Sequence, residues 1–168
     1  DDIYLCDASF RFDASSQFGK DKRWAPFWSV GGGINFHNYK ILKDNWLMST
    51  LKIRATYGST GNVNFPISMA TTTYQINTDS WFFTGAGAQF NTLGNPRLTW
   101  EKTNTVDAGF TIALLNDLIY LDASYYCKKT EDLIDEISVR HSSGFKTYNI
   151  NYGAINNEGF EISMNTTV

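Results

Sequence analysis

The stretch Val106–Cys127, VDAGFTIALLNDLIYLDASYYC, alternates apolar and polar residues on both sides of Asn116-Asp117. Alternation at period two marks a strand with one apolar and one polar face. Asn-Asp suits a two-residue type I′ turn, though less well than Asn-Gly. With that pair as the loop, Leu114 faces Ile119, Ile112 faces Leu121, Phe110 faces Ala123, Ala108 faces Tyr125 and Val106 faces Cys127. The other face collects Thr111 with Asp122, Gly109 with Ser124, Asp107 with Tyr126 and Thr105 with Lys128. A slip of one residue would mix every pair, so the turn and the faces specify the same register. Each arm is about twice the roughly five or six residues of an ordinary strand. At about 3.3 Å per residue and a tilt of roughly 40°, such arms span a band about 25 Å tall.

The same alternation recurs outward from this hairpin. Tyr4, Cys6, Ala8, Phe10 and Phe12 share one face against Leu5, Asp7, Ser9, Arg11 and Asp13. Trp28, Val30, Ile34 and Phe36 oppose Ser29, Gly31, Gly33 and Asn35. Leu51, Ile53, Ala55 and Tyr57 oppose Lys52, Arg54 and Thr56, and Phe160, Ile162 and Met164 oppose Glu161, Ser163 and Asn165. No segment sustains a helical period. These strands predict an antiparallel sheet wetted on one side.

The connections fall near 14–26, 38–48, 59–98, 116–117 and 131–157. The first, third and fifth are expected to be long and the others short, so one rim is elaborated and the other trimmed, as in outer-membrane barrels. Segment 59–98 is too long for a structureless loop; SMATTTYQIN and SWFFTGAGAQF within it predict a hairpin near 68–90. Aromatics gather near the strand ends: Trp24, Trp28, Tyr57, Trp100, Tyr125 and Tyr126 toward one rim, Tyr39 and Trp46 toward the other. That distribution suits interfacial girdles, or alternatively rings plugging the ends of a β-sandwich.

Composition excludes several classes. With 14 Lys and Arg against 17 Asp and Glu, the net charge of −3 offers no footprint for nucleic acid. No window approaches the roughly 18 apolar residues of a membrane-crossing helix, a criterion blind to alternating β-strands. Cys6 and Cys127 are not spaced for zinc and are too few for a disulfide framework. Both fall on apolar strand faces, as small buried or lipid-facing thiols. His37 and His141 lack ligand-spaced partners or a nearby nucleophile motif, and no carboxylate pair is placed about a cleft. No catalytic residue, metal site or cofactor is expected. The chain opens and closes in strand alternation without a signal peptide, so it is expected to be part of a longer protein. A soluble β-sandwich carbohydrate-binding module is the alternative, with the apolar faces turned into a core.

Five ordered blocks carry a resemblance: YLCDASFRFDASSQFGKDKRWAPFWSVGGGINF, LKIRATYGSTGN, LGNPRLTWEKTNTVDAGF, LDASYYCKKTEDLI and NYGAINNEGFEI. In order and spacing the chain resembles the SusC/RagA family of TonB-dependent outer-membrane transporters of Bacteroidetes. Phe12 and Ala14 replace the family's usual Arg and Gly, and Cys127 stands where Arg is common. The resemblance implies an all-β antiparallel meander forming a segment of a barrel of about 22 strands. Residues 1–168 would supply about eight of those strands plus the loop hairpin, with the plug, TonB box and signal peptide lying outside this chain. It implies nutrient import across the Gram-negative outer membrane. The partners would be a SusD-like surface lipoprotein, the TonB complex, a glycan or peptide substrate and outer-membrane lipid. Trp24, Trp81, Phe82 and Phe83 become candidates for ligand or lid contact on extracellular loops, or for packing within their own loops. Arg11, Asp13, Arg54, Asp107 and Asp122, with Glu101 and Lys128, become lumen-facing candidates for plug or pathway contact.

Overall fold

A computed structural model describes residues 3–39, 47–63, 65–66, 69–77 and 87–166. Ten strands follow in chain order: β1 Tyr4–Ala14, β2 Trp24–Asn35, β3 Met48–Asn62, β4 Thr73–Asn77, β5 Gly87–Thr92, β6 Glu101–Leu114, β7 Ile119–Glu131, β8 Ile134–Ser138, β9 Thr147–Asn151 and β10 Ala154–Thr166. Six of them form one antiparallel sheet in the order β1-β2-β3-β6-β7-β10, and β4-β5 and β8-β9 are separate two-stranded sheets. The wall among the described residues therefore has six strands, fewer than the expected eight or so. Strands β4 and β5 pair with each other, as do β8 and β9, and neither pair is hydrogen-bonded into the wall.

The expected register of β6 and β7 is the observed one, with Leu114 opposite Ile119 and Val106 opposite Cys127. Asn116 and Asp117 have φ of 55° and 67°, as a type I′ turn requires at both central positions. The Leu118 amide closes the turn on the Leu115 carbonyl at 3.3 Å. Leu115 itself has φ of 56°, and its amide donates to the carbonyl of Leu47 across the neighbouring connection at 3.1 Å.

Pairing carries the two faces across the whole sheet. The row Tyr4–Ile34–Ile53–Phe110–Ala123–Ile162 is apolar throughout, and Cys6–Gly32–Ala55–Ala108–Tyr125–Phe160 runs beside it. The opposite face carries Lys52–Thr111–Asp122–Ser163. Among the described residues no second sheet covers the apolar face: Phe160 is 80% exposed, Ile162 75% and Phe10 71%. That overturns the sandwich alternative, which would bury those side chains in a core.

The first connection runs only 15–23 and is shorter than the 36–47 connection at the other rim, reversing the expected contrast for that pair. The ladder extends because Ala14 pairs with Trp24, the Ser15 amide reaches the Arg23 carbonyl at 3.0 Å, and Phe12 stacks on Trp24 at 5.4 Å. Pro26 is tolerated inside β2 because pairing with β3 begins only at Trp28, leaving one side of the strand without a ladder there.

The buried core lies at the end of the sheet bearing the two hairpins. Phe18, Ala25, Phe27, Phe65, Leu98 and Trp100 form it, with Leu98 at 0% exposure. Ala25 and Phe27 share the polar face of β2 with Ser29 and Gly31, so WAPFW is apolar on both faces. Trp100 points into this cluster, 5.2 Å from Phe18 and 5.4 Å from Phe27, and donates Nε1 to the Arg23 carbonyl at 3.1 Å. It is not a girdle residue, and Tyr126 lies on the polar face beside Lys128. Trp28 and Tyr57, edge to face at 5.1 Å, and Tyr125 with Phe160 at 4.9 Å do sit on the apolar face. Tyr39 joins Tyr4 at the opposite rim through hydroxyls 2.7 Å apart; Trp46 lies outside the described residues.

Candidate functional site

The polar face of the wall holds two separate charge groups. Arg54 meets Asp122 in a bidentate pair, Nη1 to Oδ2 at 2.8 Å and Nη2 to Oδ1 at 3.0 Å. The Thr111 hydroxyl donates to the same Asp122 Oδ2 at 2.6 Å. Register assembles this set, because Arg54 lies opposite Gly109 on β6, and Thr111 lies opposite Asp122. Asp107 lies two residues along the same face, opposite Thr56 and Tyr126. Arg11 pairs with Asp13 at 3.1 Å and lies over the Phe27 ring at 5.5 Å. Arg54 is in the row of Leu5, so Arg11 stands roughly 20 Å further along the sheet at about 3.3 Å per residue. The five lumen candidates thus share a face without forming one site.

Trp24 is a strand residue on the apolar face, stacked on Phe12 and 61% exposed. It belongs to β2 and pairs with Ala14, so it does not lie in the 14–26 loop to which it was assigned. Trp81, Phe82 and Phe83 lie outside the described residues.

The rim assembly centres on Gly94-Asn95-Pro96-Arg97-Leu98-Thr99-Trp100-Glu101. Gly94 packs so tightly on the main chain at Thr71 and Thr72 that a Cβ would overlap it. Asn95 is buried; its Oδ1 accepts the Arg97 amide at 3.0 Å and its Nδ2 donates to the Asn149 carbonyl at 2.8 Å. The Asn151 side chain accepts the Thr99 amide and donates to the Thr99 carbonyl, both at 2.9 Å. Glu101 accepts from the Ile134 amide at 2.9 Å and from Asn62 Nδ2 at 3.1 Å. Segment 93–101 therefore fastens the β8–β9 hairpin to the strand end that leads out of β5.

Between the two hairpins opens a cleft of about 420 Å³. Gln75, Gln89 and Asn91 line it from β4–β5, and Glu136, Thr147 and Asn149 line it from β8–β9. Phe90 and Phe145 bound one side, edge to face at 5.4 Å. Sequence reasoning did not single out these residues. A signal existed in the near-repeat TYQIN (73–77) and TYNIN (147–151), whose third positions, Gln75 and Asn149, both line the cleft. Elsewhere on the rim Lys129 pairs with Glu131 at 2.6 Å, which raises the Lys129 ammonium above its ordinary pKa. Among the described residues no cluster of three or more His, Cys, Asp or Glu side chains is placed to hold a metal. On the apolar face a shallow groove of about 390 Å³ runs over Ala108 and Ala123 between Phe110, Tyr125, Phe160 and Ile162.

A family model described as TonB dependent receptor-like, beta-barrel, matches residues 2–167. The chain is 33% identical over 172 residues to the TonB-dependent receptor SusC of Bacteroides thetaiotaomicron, covering 96% of this chain and 17% of that protein. It is 30% identical over 167 residues to the TonB-dependent receptor P26 of Formosa agariphila, covering 99% of this chain and 17% of that one. Among solved structures, the RagAB peptide importer in its closed-closed state superposes with a TM-score of 0.91 at 30% identity, covering 100% of this chain and 18% of that one. The chain thus spans less than a fifth of the length of these relatives.

Proposed function

Because this chain belongs to the family of TonB-dependent receptor β-barrels, we propose that it is part of the wall of an outer-membrane nutrient importer. The observation that carries this is the continuous apolar face of a six-stranded sheet left uncovered. In water such a face would be a liability, whereas in a bilayer it is the required surface. Lysine or arginine facing mid-bilayer lipid costs about 2–4 kcal/mol, and Arg54 and Lys52 both lie on the opposite face.

The apolar face meets lipid, and the polar face meets water and a plug in the lumen. Free edges at β1 and β10 are closed by the other strands of the parent barrel, since unpaired backbone groups cannot face hydrocarbon. The hairpin rim is extracellular and the Leu115–Leu118 turn is periplasmic. A SusD-like lipoprotein closes over the extracellular rim, a glycan or peptide is captured between them, and TonB drives its release inward. The wall residues carry no catalytic step.

The test is performed on the full-length parent protein in its native outer membrane. Affinity purification should bring down a surface lipoprotein, and uptake of the nutrient should stop when TonB is removed. A parent that is recovered in the soluble fraction, or whose uptake is indifferent to TonB, overturns the reading.

A further inference from the structure

We propose that segments 15–23 and 93–100 form a fixed ledge over the mouth of the lumen, one that stays seated on the wall while cargo passes. This rests on the importer reading above, which makes the polar face of the sheet the lumen surface. Ala25 and Phe27 stand on that polar face of β2, yet they are 3% and 1% exposed. Phe18 from the first segment and Leu98 and Trp100 from the second cover them. Both connections therefore fold inward across the wall instead of rising clear of it.

The two segments are fastened to each other and to their surroundings. A Cβ on Gly19 would lie 2.5 Å from the Pro96 carbonyl oxygen, so their main chains are in direct contact there. Arg23 donates Nε to the Phe18 carbonyl at 3.3 Å and receives Trp100 Nε1 on its own carbonyl at 3.1 Å. Phe18 meets the Phe65 and Trp100 rings at 5.1 and 5.2 Å. Beyond the core, the Asn95 amide reaches the Met69 carbonyl at 2.8 Å, and the Asn95 and Asn151 side chains tie the second segment to β9.

Those contacts decide between a ledge and a lid. A lid opens cheaply, because it has few buried apolar contacts and its hydrogen bonds are exposed to solvent. Here, lifting the second segment would bring Leu98 and Trp100 into water, uncover Ala25 and Phe27, and strand the buried Asn95 carboxamide. The apolar losses fall together because these side chains share one cluster. The turn at Pro96 and Arg97 is exposed and marks the outer surface of the ledge. Movements that admit cargo are therefore made by other parts of the parent protein.

Thiols placed behind and on the ledge test this in the full-length parent protein. The cells are ones whose growth on a mixed glycan and peptide medium requires that protein. The probe is a membrane-impermeant maleimide, mapped by mass spectrometry. Ala25→Cys and Leu98→Cys should label at least about a hundredfold more slowly than Arg97→Cys, because a buried thiol reacts only through its open fraction. The rates should be the same with TonB present and after its depletion. Labelling of either buried site that approaches Arg97→Cys, or that quickens with TonB, overturns the proposal. Ala25→Cys adds a single sulfur, so it keeps the test decisive where Leu98→Cys does not fold, and heat-dependent gel mobility identifies folded barrels. Gly19→Val drives a side chain into the Pro96 carbonyl and should speed labelling of Ala25→Cys about tenfold or more. An unchanged rate there overturns the assignment of this cover to the ledge. TonB-quickened labelling with TonB-dependent growth removes the fixed ledge and leaves the importer. Growth that is indifferent to TonB removes the importer, whatever the thiols show.

Discussion

Asn95 donates from Nδ2 to the carbonyl oxygen of Asn149 at 2.8 Å, across 54 positions of sequence. One buried carboxamide thereby joins the connection after β5 to β9, two segments that share no strand pairing. Its Oδ1 is also occupied, by the Arg97 amide, so the side chain has roles as both donor and acceptor.

Asn95→Ala should destabilise the rim by about 1–3 kcal/mol, the range for stranding buried hydrogen-bonding groups. Asn95→Asp keeps the acceptor, loses the donor and buries a charge, so it should fail as well. Hydrogen exchange on the full-length protein should show faster exchange in β9 and 95–99 with β6 and β7 unchanged. Uniform loosening of the wall would contradict this.

Gly61 lies directly against the ring of Phe27, and a Cβ there would overlap it. Phe27 is 1% exposed and cannot swing into solvent. Gly61→Ala should therefore cost about 1–3 kcal/mol by overpacking, and Phe27→Leu in that background should recover part of the loss. Unfolding midpoints in lipid vesicles measure both. A Gly61→Ala protein with the wild-type midpoint would show that this contact does not constrain the rim.

The Arg54–Asp122 pair is about one-third exposed on each side, so solvent screening keeps its contribution small. A cycle of Arg54→Met and Asp122→Leu should give a coupling near 0.5–1 kcal/mol. Each single variant should be worse than the double, because it leaves the partner charge alone on the wall. Additive single effects would separate the two residues energetically.

Cys6 and Cys127 both point from the apolar face. In native outer membranes neither should react with a membrane-impermeant maleimide, while both should react after denaturation. Val106→Cys should behave like them and Asp107→Cys should label readily. Peptide mapping by mass spectrometry distinguishes the sites; rapid labelling of Cys127 or Val106→Cys would place water on the face assigned to lipid.

Much of the wall was legible in the sequence because its rules are local. Asn116-Asp117 fixes a two-residue turn, and period-two alternation then fixes which side chains face which, out to Val106 and Cys127. Trp100 and Phe27 resisted this logic. Their partners, Phe18, Phe65 and Leu98, come from three different connections, and alternation carries no information about a loop folding back over a sheet. Trp24 was misplaced for a related reason: whether β1 and β2 extend to Ala14 and Trp24 depends on a stack between Phe12 and Trp24, not on either strand alone.

By itself the sequence determined two things about this protein: a register, and a division of side chains into an apolar and a polar face. Both follow from backbone geometry that repeats every two residues. Tertiary structure decided what packs on those faces and which distant side chains converge. Among the described residues the apolar face has no covering sheet, and the side chains of Gln75 and Asn149, 74 positions apart in the sequence, were brought to one cleft. Such convergence depends on how separate connections pack through Asn95, Asn151 and Leu98, which no local period encodes.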